Sequence, residues 1–244
     1  NAIDAAVAVG FALSVVNPSA GNLGGGGFML IHLSEKNETI AIDYRERAPI
    51  QSSEKMFQDQ DGNVINGLSL NSTLASGVPG TVSGMFYVSE KFGLKNIKSL
   101  IKPSAEVAKK GFVLSKFQAN NLNKYKEKFL KNSEAKEIFT RPEGFAEGDI
   151  LVQKNLANTL LRIAQNGKEE FYLGETAKKI SSFYKKNKGI LSLEDLKQYK
   201  LRVLKPVCGN YRVYRICSMP PPSSGGIALI QMLNILENLD IKKF

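Results

Sequence analysis

The residues best suited to chemistry lie at Asp43-Tyr44-Arg45-Glu46-Arg47, at the end of an alternating apolar run. Alternation through Ile40, Ile42 and Tyr44 puts those three on one face of a strand, with Asp43 and Arg45 on the other. A guanidinium steadied by a neighbouring acid can grip a carboxylate through two parallel hydrogen bonds. Arg45, held by Asp43 or Glu46, is therefore a candidate anion fork. The same spacing also fits a surface salt bridge at a strand end, which is the commoner arrangement.

Other chemistries are poorly supported. The run Gly21-Asn22-Leu23-Gly24-Gly25-Gly26-Gly27 suggests a phosphate cradle, but Phe28 and Met29 follow it where a P-loop needs Lys and Ser or Thr. No glycines within it fall at i, i+2 and i+5, and the order is helix, glycines, strand, the reverse of a dinucleotide site. A tight turn, or a strand start where backbones approach closely, explains the run better. No Gly-x-Ser-x-Gly elbow occurs, and His32, the single histidine, sits mid-strand between Ile31 and Leu33, which fits a structural role. Asp59 and Asp61 occupy a Gln-Asp-Gly-Asn stretch and read as turn formers.

Cys208 and Cys217 are the only cysteines. A hairpin turning at Gly209-Asn210 would leave them roughly 20 Å or more apart, beyond disulfide reach, so two packed free thiols are expected. Two thiols and one histidine make a poor zinc site, and neither metal nor cofactor is expected.

These groups must be positioned by a chain of 244 residues, 43% hydrophobic, with 33 Lys and Arg against 23 Asp and Glu for a formal charge of +10. That balance raises the prospect of an anionic partner. However, Lys124, Lys126, Lys128 and Lys131 interleave with Glu127 and Glu134 as solvated helix faces do, and no nucleic-acid-binding signature accompanies them. No apolar run reaches the roughly 18 residues of a membrane span. The Ala-rich start lacks a basic leader and is interrupted by Asp4, so it reads as a buried helix of a chain whose start lies upstream.

The pattern predicts a helix over 1–16 ending at Asn17-Pro18, then strands at 28–34 and 39–44 around a polar turn. Loop with short elements should fill 50–78, and a helix 81–92 should follow Pro79-Gly80. A mainly helical middle runs about 96–200, with Pro103 dividing one helix from the next. Ser192 and Asp195 form a capping box for a helix at 193–199. Strands at about 202–207 and 211–217 and a last apolar helix from 227 to about 239 complete the reading, a single incomplete domain over 1–244.

Five segments resemble signatures of the γ-glutamyltransferases, in that family's order. They are Asn1–Gly10, Asn17–Met29, Asp43–Pro49, Ala75–Val82 and Ser218–Gly226. The resemblance covers essentially the whole chain and implies an α/β (α+β) N-terminal-nucleophile hydrolase, a four-layer α-β-β-α sandwich of which only the large-subunit part is present. It further implies a precursor that cleaves itself. A threonine at the new N-terminus of the small subunit then attacks the γ-glutamyl amide of glutathione and passes the acyl group to water or to an amino acid or peptide. That threonine is not among these residues, so the chain holds no catalytic residue and should be inactive alone. One family ligand position maps onto it: Arg45, expected to bind the donor's α-carboxylate. The glycine run and Pro220–Gly226 are expected to be structural. The implied partners are the small subunit and γ-glutamyl compounds, with no nucleic acid, and the implied location is the periplasm or the cell exterior. A related amide acylase, a poly-γ-glutamate transferase, or a non-catalytic basic binding domain are the alternatives.

Overall fold

The computed structural model describes residues 1–239 of the chain; the expected last helix is present as Ser224–Glu237, and the chain's end, 240–244, lies outside the described residues. Strands β1 (Phe28–Leu33) and β2 (Glu38–Asp43) form the expected hairpin through a short 3-10 turn at Ser34–Lys36. Two-residue strands β3 (Phe112–Val113) and β4 (Ile150–Leu151) pair with each other. Strand β5 (Arg202–Leu204) adds antiparallel to β2, giving a sheet in the order β1-β2-β5, while β6 (Val207–Tyr211) and β7 (Tyr214–Ser218) make a separate hairpin.

Register decides which face of the larger sheet is buried. Met29 pairs with Ile42 and Ile31 with Ile40, and this face packs into the main core. The core joins Val7 and Phe11 of the opening helix Ala2–Val16, Val82 and Met85 of the helix Thr81–Phe92, Ile101 of the helix Ile97–Lys110, and Leu160 of the helix Lys154–Asn166. The opposite face carries Leu30, His32, Thr39 and Asp43, with Leu30 and His32 exposed. Asn1 caps the opening helix by accepting from the Asp4 amide. The buried Asp4 carboxylate reaches across to the backbone N–H groups of Leu94 and Lys95. Among the described residues no helix is long and apolar enough to cross a membrane.

Two expectations are corrected. Pro103 does not divide helices; it sits inside Ile97–Lys110. An internal proline costs roughly 3 kcal/mol. That helix nevertheless buries Leu100, Ile101, Ala105 and Ala108 against its neighbours, and burying such side chains outweighs one lost hydrogen bond.

The second correction concerns the cysteines, which are not free thiols. The β6–β7 hairpin turns at Arg212-Val213, three residues later than the sequence suggested, so Cys208 faces Cys217 directly with Cα atoms 4.1 Å apart, and they form a disulfide. Gly209 is not a turn residue either. It lies mid-strand beneath the helix Ser224–Glu237, where a Cβ would meet Ile230 Cγ2 at 2.7 Å. The glycine admits the helix, and the turn moves to Arg212, which takes a left-handed φ of 54°. A thiol reagent should find neither cysteine in the native protein. Because the cysteines lie nine positions apart, reduction should cost about 2–3 kcal/mol and appear first as faster amide exchange in β6 and β7. Unchanged exchange after reduction would remove the disulfide from any stabilising role.

Candidate functional site

Three separated segments converge where β2 ends. The ladder continues one pair beyond the hairpin: the Tyr44 amide donates to the Gly27 carbonyl at 3.0 Å and the Gly27 amide to the Tyr44 carbonyl at 3.3 Å. The glycines thus run alongside Tyr44 and Arg45. A Cβ on Gly26 would lie 2.8 Å from both Arg45 Cα and the Glu46 nitrogen, and one on Gly27 would meet the Tyr44 ring at 2.9 Å. On the other side, the Gly25 carbonyl accepts from the amides of Gly80 and Thr81, and Arg47 exchanges backbone hydrogen bonds with Val78. The glycine run is a close backbone approach, as the sequence suggested, and what it approaches is the Arg45 segment.

This makes a prediction within the run. In the full-length protein Gly26→Ala must move backbone, so it should lose about 1–3 kcal/mol of stability in a thermal melt. Gly24→Ala, whose Cβ would meet only Asn22 Oδ1 at an ordinary 3.6 Å, should stay within about 0.5 kcal/mol. Equal effects at the two positions would contradict the close-approach reading.

Asp43 is fully buried and does not clamp the Arg45 guanidinium as expected. Its Oδ1 accepts the Arg45 backbone N–H at 3.0 Å. Its Oδ2 accepts from Arg202 Nε at 2.8 Å and from the same guanidinium's terminal nitrogen at 2.5 Å, with Arg47 at 3.5 Å. Burial by itself would raise this carboxyl's pKa. The Arg45 amide and the Arg202 and Arg47 guanidiniums outweigh burial and hold it below the usual carboxylate range. Glu46 is the acid nearest the Arg45 side chain, at 3.7 Å. The guanidinium itself lies over the Phe28 ring at 5.7 Å and is about half exposed. Its backbone is fixed while its fork stays available to an anion.

Arg202 and Tyr199 were missed in the sequence. The Tyr199 hydroxyl donates to the Arg45 carbonyl at 2.8 Å, and its ring stacks on Tyr172 with centroids 5.7 Å apart. Tyr172 in turn donates to the Pro79 carbonyl and accepts the Ser83 amide. Burial pushes both phenols far above their ordinary pKa, so each remains a proton donor at physiological pH. Gly80 makes the reach possible, since a Cβ there would collide with Tyr199 Oη and the Tyr44 carbonyl. The one local signal was the capping box of Ser192 and Asp195, found as expected, which starts the helix Leu193–Gln198 immediately before Tyr199. Asp195 Oδ1 also accepts the Ile50 amide at 2.6 Å, tying that helix to the segment after Pro49.

Other candidates lie elsewhere. His32 pairs with Thr39 Oγ1 at 3.0 Å across the hairpin, and Asp59 accepts the amides of Asp61 and Asn63 within its own turn, so both are structural. Among the described residues no three His, Cys, Asp or Glu side chains gather as a metal site would need. No hydrogen bond or ion pair among the described residues joins Ser218–Gly226 to Arg45.

The family described as gamma-glutamyltranspeptidase matches residues 1–244. The chain is 48% identical to the glutathione hydrolase proenzyme of Escherichia coli (strain K12), covering 100% of this chain and 42% of that protein. It is 40% identical to the glutathione hydrolase proenzyme of Bacillus subtilis (strain 168), again covering 100% of this chain and 42% of that protein. Among solved structures it superposes on Helicobacter pylori gamma-glutamyltranspeptidase with a TM-score of 0.97 and 49% identity, covering 100% of this chain and 70% of that one. The chain therefore spans less than half the length of these curated relatives.

Proposed function

This chain belongs to the gamma-glutamyltranspeptidase family, and on that premise we propose that the complete protein hydrolyses and transfers γ-glutamyl groups, with Arg45 binding the donor's α-carboxylate. The fold is that of the family's N-terminal-nucleophile hydrolases, seen from its large-subunit part. The observation that carries the proposal is the Arg45 geometry: an anchored backbone bearing a half-exposed guanidinium. Its planar fork suits a carboxylate, and a γ-glutamyl group offers one next to its α-amine.

The nucleophile comes from outside these residues. A threonine hydroxyl attacks the γ-carbonyl, the amide C–N bond breaks, and the leaving amine takes a proton. Water or an acceptor amine then attacks the resulting ester and frees the threonine. The word proenzyme in the relatives' names, and the 42% of their length spanned here, support a companion subunit released from the same precursor. The Cys208–Cys217 disulfide supports an oxidising location, the periplasm or the cell exterior.

The test uses the full-length protein and residues 1–244 separately, with a γ-glutamyl anilide and the matching 4-aminobutyryl anilide, which lacks the α-carboxylate. The full-length protein should release the chromophore from the first and hardly from the second, and residues 1–244 should release none. Equal turnover of both anilides would favour a general amide acylase, and turnover by 1–244 would place a nucleophile within the chain.

A further inference from the structure

Two polar side chains beside Arg45, those of Asp43 and Tyr199, bond its main chain and not its guanidinium. Beyond the Tyr44–Gly27 pair the ladder ends, so the Arg45 amide and carbonyl have no strand partners and would turn to water. Two side chains take their place. Asp43 Oδ1 accepts the amide at 3.0 Å, and Tyr199 Oη donates to the carbonyl at 2.8 Å from 154 residues away. Each holder is itself held. Asp43 is gripped on its other oxygen by Arg202, also distant in sequence, and Tyr199 is stacked on Tyr172, whose hydroxyl is bonded at Pro79 and Ser83. The guanidinium is left out of all these bonds.

We propose that Tyr199 and the Asp43–Arg202 ion pair are positioning residues that fix the Arg45 backbone and so aim its fork at the donor carboxylate. The proposal rests on the reading of Arg45 given above. An arginine side chain has several rotatable bonds, and a two-bond contact with a carboxylate tolerates little displacement of its root. Anchoring amide and carbonyl together removes the peptide rotations that would swing the side chain. The Tyr199 hydroxyl is also separable from the fold: Tyr199 is half-buried, and phenylalanine keeps the ring and its stack on Tyr172.

The experiment is a double-mutant cycle in the full-length protein. Parent, Tyr199→Phe, Arg45→Ala and the double variant are compared for kcat and KM with a γ-glutamyl anilide, each with a thermal melt. Loss of one hydrogen bond's worth of positioning should make Tyr199→Phe raise KM roughly 3- to 10-fold, with kcat within about twofold. Once Arg45→Ala is present, adding Tyr199→Phe should change KM no further. If Tyr199→Phe leaves KM within about twofold while Arg45→Ala raises it strongly, the positioning role fails and the Arg45 reading stands. The role fails equally if Tyr199→Phe raises KM by the same factor in both backgrounds. If Arg45→Ala itself leaves KM unchanged, both readings fall. Should Tyr199→Phe not fold, Arg202→Lys replaces it in the same cycle: it keeps the charge beside Asp43, loses the fork, and should show the same non-additivity.

Discussion

Arg45→Ala in the full-length protein is expected to raise KM for a γ-glutamyl donor by roughly 30- to 4,000-fold, the equivalent of about 2–5 kcal/mol for removing one partner of a desolvated charge pair. The guanidinium is only partly exposed and stands over Phe28, so a bound carboxylate would be shielded from water on that side. The α-carboxylate is remote from the bond that breaks and is held alike before and during attack. Most of the loss should therefore fall on KM, and kcat should drop much less. Arg45→Lys retains charge without the planar fork and should remain clearly impaired. Neither change should impair cleavage of the precursor, which does not need the donor. Steady-state kinetics with glutathione decide the matter. A KM within about twofold of the parent would return Arg45 to the status of a surface salt-bridge partner of Glu46.

Removing the carboxylate of Asp43 should chiefly cost stability. Asp43 has no exposure and receives charged or backbone donors on both oxygens, and hydrogen bonds to a charged group contribute about 1.5–3 kcal/mol each. Arg202 is nearly half exposed and can recruit water when its partner goes, which tempers the loss. Asp43→Ala is therefore expected to lower stability by about 2–3 kcal/mol at neutral pH, read from denaturant melts. The pH dependence follows from the depressed pKa of this carboxyl. Between its folded and unfolded values the unfolded chain binds more protons, so stability rises with pH across that interval. The contribution of Asp43 is complete above its unfolded value near 3.9 and fades as pH falls through the lower folded value. The parent should lose stability over this acid range, and Asp43→Asn should lose less. Parallel pH profiles for the two proteins would mean that the carboxylate is not held by its guanidinium partners.

Local chemistry was legible in the sequence wherever neighbours along the chain decide structure. The Ser192 capping box started its helix as expected because the cap and its target amide lie three residues apart. The hairpin of β1 and β2 followed from a period of two, and that period also put Asp43 opposite Tyr44. The failure of the glycine run as a phosphate cradle could be read from residue order alone, and its motif companions pointed to the family and to Arg45.

Tertiary structure decided what lies across the chain. That Asp43 serves Arg202 rather than the Arg45 side chain depends on β5 adding to β2, a pairing some 160 residues apart that no local period encodes. Tyr199 is invisible for the same reason: a tyrosine after a short helix becomes a positioning candidate only when Gly80 lets it reach the Arg45 carbonyl. Pro103 continues a helix because burial of its neighbours outweighs one absent donor. The disulfide turned on register. Gly209-Asn210 has the composition of a turn, yet Ile230 packs where a Cβ at position 209 would stand, so the turn falls at Arg212 and brings two cysteines face to face. Propensity is a matter of tenths of a kilocalorie per residue, whereas seating an apolar helix on a hairpin involves several kilocalories, and the larger quantity sets the register.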